Sequence, residues 1–88
     1  MNIAGVVIYA SPHSEMGVKS QLAALPGVEV HAVTDEGKMV VTIENLYESD
    51  LADTVMQMQS LQGVLSASMV YHHNENHINV GDHPNETV

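Results

Sequence analysis

The sequence predicts an α+β sandwich, a four-stranded antiparallel sheet with two helices on one face. Three observations predict it. Short Val- and Ile-rich runs alternate with apolar residues spaced i, i+4, i+7, in the order β-α-β-β-α-β. A tight turn, "DEGK" at residues 35–38, joins two of the strands directly. The two halves also echo each other. Leu25-Pro26-Gly27-Val28 returns 36 positions later as Leu61-Gln62-Gly63-Val64, and Leu22 returns as Met58.

Residues 3–10 form a short apolar run bounded by a polar start and by "SPHS", the pattern of a buried strand. Ser11 and Pro12 suit the cap and first position of a helix. Its stripe is Val18, Leu22 and Leu25, and Pro26-Gly27 stops it. Gly17 inside that helix costs about 1 kcal/mol relative to Ala. Residues 28–34 alternate, with Val28, Val30 and Ala32 on one side and Glu29, His31 and Val33 on the other. Residues 38–44 return as the third strand of a hairpin, Gly37 allowing the turn. Ser49 is placed to cap the second helix, with Asp50 and Asp53 near its positive end. Leu51, Val55, Met58 and Leu61 form its stripe, and Gly63 ends it. Residues 64–72 make the fourth strand, with Leu65, Ala67, Met69 and Tyr71 expected inside and Ser66, Ser68, Val70 and His72 outside. Met58 and Met69 are expected in the core, and Met16, Met39 and Met56 at its margins. Paired split β-α-β units of this kind make a ferredoxin-like sandwich. The domain is expected to span residues 1–73. Residues 74–88 are polar, contain Gly81 and Pro84, lack apolar periodicity, and read as a disordered acidic tail.

The 88 residues carry a formal charge of −9, with two lysines and no arginine. Nucleic acid and anionic membranes are therefore poor partners, since both need basic side chains. A basic partner is the natural complement. The N-terminal residues lack the basic and long apolar regions of a secretion signal, and no run approaches the ~20 apolar residues of a membrane span. A soluble protein in the compartment of its synthesis is expected.

No catalytic constellation emerges. Cysteine is absent, which removes thiolate metal sites and redox pairs. His72, His73 and His77 are close in sequence, but neighbours on a strand point to opposite faces and do not converge on a metal. Ser66 and Ser68 lie on a strand beside no expected pocket. The glycines form no phosphate loop. The only aromatic residues are Tyr9, Tyr47 and Tyr71, too few and too acidic in setting for RNA stacking. The chain is therefore read as non-enzymatic, with no cofactor and no metal.

What remains is the sheet face that the helices leave uncovered. Alternation assigns it Gly5, Val7 and Tyr9 from the first strand, Glu29, His31 and Val33 from the second, and Val40, Thr42 and Glu44 from the third. The fourth adds Ser66, Ser68, Val70 and His72. The centre is apolar and the carboxylates lie toward the second and third strands. Such a face fits a merely solvated surface or a homodimer interface, and it also fits a partner carrying an apolar helix and basic residues.

The motifs "GVVIYASP", "QLAALPGVEV", "GKMVVTIE" and above all "GVLSASMVYHH" resemble those of the NapD family, small assembly chaperones of periplasmic nitrate reductase. The resemblance covers residues 3–73. It implies a ferredoxin-like fold and a cytoplasmic chaperone without catalytic activity. The implied partner is the twin-arginine signal peptide of the catalytic nitrate reductase subunit, held so that export waits for molybdenum cofactor loading. A monomer or weak dimer is expected. The second reading is a small-molecule-sensing regulatory domain of the ACT type, which shares the topology and the "L-x-G-V" turn and acts as a dimer.

Overall fold

The computed structural model of the chain describes residues 2–74. The elements are β1 (Asn2–Ala10), α1 (Glu15–Ala23), β2 (Val28–Val33), β3 (Lys38–Asn45), α2 (Glu48–Ser60) and β4 (Val64–Asn74). All pairings are antiparallel, and the strand order is β2-β3-β1-β4. This is the ferredoxin-like α+β sandwich, with β1 and β3 central and β2 and β4 at the edges. The expected tail, with His77 and His83, lies outside the described residues apart from Asn74.

The core lies between the sheet and the helices. Ala4, Val6, Ile8 and Ala10 of β1 and Met39, Val41 and Ile43 of β3 are buried, in strict alternation. Val18 and Leu22 of α1 and Leu51, Val55 and Met58 of α2 close over them. Leu25 and Leu61, at the ends of the two stripes, are partly buried against this cluster. Met39 is fully buried instead of marginal, because its pairing with the buried Ile8 puts it on the face that the helices cover.

Local chemistry accounts for the joints. α1 begins three residues later than the Ser11-Pro12 signal suggests. The Ser14 N–H donates to the Ser11 carbonyl at 3.0 Å and the two hydroxyls meet at 2.8 Å, so residues 11–14 form a turn of their own before Ser14 takes the cap position. His13 supplies the positive φ of 68° that this turn needs. α2 begins at Glu48 with Tyr47 at its cap, two residues ahead of the expected cap Ser49. The Thr54 hydroxyl donates to the Asp50 carbonyl at 2.8 Å, satisfying a buried hydroxyl within the helix. The two stop signals of the repeat, Gly27 and Gly63, both adopt positive φ, 77° and 94°. Each carbonyl then accepts a backbone N–H from another segment, Glu44 onto Gly27 at 2.9 Å and Ser11 onto Gly63 at 2.8 Å. The echo between the halves is therefore a repeated docking device: a left-handed residue ends each helix region and ties it back to the sheet.

Both edge strands are irregular. β4 carries one extra residue, Leu65, between the pairs Tyr9–Ser66 and Ala10–Val64, and another, Val70, between Gly5–Tyr71 and Val6–Met69. β2 carries His31 as an extra residue between Val30–Val41 and Ala32–Val40. Bulges twist an edge away from further strand pairing. They also reverse which face the following residues occupy, because side chains alternate with a period of two.

Candidate functional site

The face of the sheet that none of the described elements covers is the candidate site, and the strand register fixes its layout. Residues opposite each other on antiparallel strands share a face about 5 Å apart. Four rows result. Glu44, Ile3 and His73 form the first; Glu29, Thr42, Gly5 and Tyr71 the second. Ala32, Val40, Val7 and Ser68 form the third, and Lys38, Tyr9 and Ser66 the fourth. An apolar centre built from Val7, Val40 and Ala32, with Ile3 beyond it in the first row, is thus framed by two tyrosines, with two carboxylates near one end and a lysine at the other.

Val7, Tyr9, Val40, Thr42, Glu44, Glu29 and Ser68 lie on this face as the alternation of the sequence requires. Tyr9 is 43% exposed and Val40 38%, values that leave apolar surface open at the middle of a sheet. The His31 ring reaches the same face from the edge, its Nε2 hydrogen-bonded to the Thr42 hydroxyl at 2.7 Å.

Three residues expected there are not. Val33 pairs with the buried Met39 and so belongs to the helix side, displaced by the extra residue at His31. His72 pairs with the buried Ala4, and its Nδ1 lies 3.7 Å from a Glu48 carboxylate oxygen at the start of α2. Val70 is the extra residue of the bulge itself, exposed but without a partner in the ladder. The same bulge moves Tyr71 out of the expected core. It is 55% exposed, opposite Gly5, and its side chain stands over that glycine: a Cβ built on Gly5 would sit 3.3 Å from the Tyr71 Cβ. His73 follows it, the two rings 6.3 Å apart and nearly parallel at 15°. Met69 and Leu65, also expected inside, are 41% and 67% exposed on the edge strand. Only Ala67 of that set is buried.

Tyr71, His73 and Ala32 are the face residues that simple alternation misplaces, each shifted by a bulge, whereas Ile3 and Lys38 lie in phase with Gly5 and Val40 and extend the face at its two ends. One signal was available for Tyr71: a glycine on the neighbouring strand is often covered by an aromatic side chain. Among the described residues, no three His, Asp or Glu side chains come together in a way that could hold a metal ion. No helix among them is long and apolar enough to cross a membrane. A shallow depression between the helices, lined by Leu25, Asp53, Met56 and Leu61 among others, lies on the opposite side of the molecule and holds no convergent polar groups of a catalytic kind.

The chain is 33% identical over 75 residues to the chaperone NapD of Escherichia coli K12, covering 83% of this chain and 85% of the relative. Among solved structures it is similar to the E. coli Tat proofreading chaperone protein NapD, with a TM-score of 0.75 at 26% identity, covering 98% of this chain and 88% of that one. A transcriptional regulatory protein of the AsnC family from Pyrococcus furiosus matches with a TM-score of 0.65 at 18% identity, over 85% of this chain and 52% of that one, and shares the fold alone. The family model described as NapD protein matches residues 1–76, and with the register, the open face and these relatives together, the chain belongs to the NapD family.

Proposed function

We propose that this protein is a cytoplasmic chaperone that binds a twin-arginine signal peptide on the open face of its sheet. The client is the catalytic subunit of a periplasmic nitrate reductase, and the bound peptide is withheld from export until cofactor loading is complete. The observation that carries the reading is the open apolar patch in which Val40 and Ala32 are exposed and Val7 and Ile3 half-buried, bordered by Glu29 and Glu44 in a chain of net charge −9. A twin-arginine leader offers the complement, two guanidinium groups followed by an apolar stretch.

Burial of that stretch supplies most of the affinity, about 2.5 kcal/mol for each ~100 Å² of apolar surface withdrawn from water. The carboxylates add selectivity and a faster encounter, because solvent-exposed pairs are individually weak. A planar guanidinium donates two parallel hydrogen bonds to one carboxylate, which a lysine ammonium does not. No chemical step is required of the protein, since holding the leader is the whole task. The direct test is co-purification of the tagged protein with a reporter fused to the leader, compared with the same reporter lacking it. Retention only of the leader-bearing reporter is the expected result. Equal retention of both, or of neither, rejects the reading, and binding of a free amino acid instead would favour the regulatory-domain alternative.

A further inference from the structure

The open face has a direction. Its carboxylates, Glu44 and Glu29, sit in the first two rows. Lys38, one of only two basic side chains outside histidine in the whole sequence, sits in the fourth row beside Tyr9. The stacked pair Tyr71 and His73 lies in the first two rows as well, across Ile3 and Gly5 from the carboxylates. Rows one and four are six residues apart along β1, from Ile3 to Tyr9, or about 20 Å at strand rise.

We infer that a leader lies along the strands in one orientation, its arginines in the corner between Glu44 and the Tyr71–His73 stack and its apolar stretch running over Val7 and Val40 toward Tyr9 and Lys38. This deepens the function proposed above and rests on it. The reasons are physical. The two carboxylates attract guanidinium groups at one end, and Lys38 repels them at the other. The Tyr71 ring offers a flat π surface, on which a guanidinium stacks better than an ammonium does. The glycine beneath it is the reason the ring can lie close to the sheet. His73 lies beside it, its ring nearly parallel to that of Tyr71 with centroids 6.3 Å apart, and its ring nitrogens are available to hydrogen-bond a ligand. The reverse orientation would put the arginines beside Lys38 and leave the carboxylates facing an apolar helix or strand. The tyrosine is thus a specificity-determining residue for arginine over lysine, and the lysine an orienting one.

The wild-type protein tests this without mutation. Two synthetic leader peptides are prepared, one with a nitroxide label just before the arginines and one with the label at the far end of the apolar stretch. Paramagnetic broadening of backbone amide signals reports which row each label approaches. The first label is expected to broaden Ile3, Glu44 and His73 and to spare Lys38, Tyr9 and Ser66, and the second to do the opposite. The reversed pattern, or the same broadening from both labels, overturns the inference while leaving leader binding intact. Absence of binding by either peptide overturns the proposed function itself and the inference with it. A second measurement isolates the aromatic corner. In Tyr71→Ala the ratio of affinities for the arginine leader and its double-lysine counterpart should fall about 2- to 5-fold, and Tyr71→Phe should keep the parent ratio. A ratio is insensitive to the folded fraction, so partial unfolding of the variant does not mimic the effect. An unchanged ratio in Tyr71→Ala removes Tyr71 from the corner.

Discussion

Replacing Gly27 with alanine should destabilise the domain strongly, and replacing Gly17 with alanine should stabilise it. Gly27 has φ of 77°, a region that an L side chain enters at about 1–2 kcal/mol. A Cβ built there falls 2.3 Å from the Glu44 carbonyl oxygen, which is backbone in the central strand β3 and has little room to move. Something must shift, and the hydrogen bond from the Glu44 N–H to the Gly27 carbonyl, 2.9 Å long, is the nearest casualty, at about 0.5–1.5 kcal/mol net. The total is roughly 1.5–3.5 kcal/mol. In a domain of this size each kcal/mol moves the melting temperature by about 4–8 °C, so a fall on the order of 10–20 °C is expected. Gly17 sits in α1 with nothing within 4 Å of a built Cβ. Alanine there gains about 0.5–1 kcal/mol of helix propensity, a rise of a few degrees. Thermal unfolding followed by circular dichroism reads both, and urea titrations check that the slope of free energy with denaturant is unchanged. If Gly27→Ala melts within about 2 °C of the parent, the tight approach of the helix end to β3 is wrong. A drop for Gly17→Ala would contradict the open placement of that residue.

The other outcomes concern the core and the face. Leu22→Ala empties a fully buried site against Val18 and the sheet and should cost about 2–5 kcal/mol by urea denaturation; a loss under 1 kcal/mol would contradict its packing. His72→Ala should leave leader affinity unchanged, because the bulge turns His72 toward α2; a loss equal to that of Tyr71→Ala would place both on one face and contradict the register. Glu44→Gln should weaken leader binding about 2- to 5-fold at low salt and less in 0.5 M salt, where screening already suppresses the parent's advantage; equal loss at both salts argues against a charge role. EDTA should alter neither melting temperature nor leader binding, and a fall restored by one metal ion would demand a metal site.

Much of this fold was legible because the central strands are regular. In β1 and β3 burial alternates and no extra residue breaks the register between them, so Val7, Tyr9, Val40, Thr42 and Glu44 could be assigned to a face by counting. The helix stripes carried the same information at i, i+4, i+7, and Leu22 and Met58 are fully buried as that spacing requires. Counting fails on the edge strands. β4 has apolar residues on both phases, Leu65 and Met69 against Val70, so the sequence contains no break in pattern to announce the extra residue. A bulge depends on how β4 pairs with β1, which is information held by two distant segments together. One added residue then exchanges Tyr71 with His72 and moves His73 onto the open face. The same happens at His31, where Ala32 gains the face and Val33 loses it. The opening of α1 was missed for a related reason: Ser11-Pro12 is a good helix signal locally, but the Ser11 N–H is engaged by the Gly63 carbonyl 52 positions away, and the chain must turn once more before the helix begins.

The central claim is that the open sheet face captures a twin-arginine leader, and a charge placed at its centre tests it most directly. Val40 is the residue to change, since it lies in the third row between Ala32 and Val7 and its side chain is partly exposed, away from the core. Isothermal titration calorimetry of the leader peptide into the wild-type protein and into Val40→Asp, at several temperatures, gives affinity and heat-capacity change together. Saturable one-to-one binding with a negative heat-capacity change is expected for the wild type, the sign of apolar burial. In Val40→Asp the affinity should fall at least ~10-fold while the melting temperature stays within a few degrees of the parent. Undiminished affinity in Val40→Asp, with the variant folded, would place the leader elsewhere on the molecule and contradict the account.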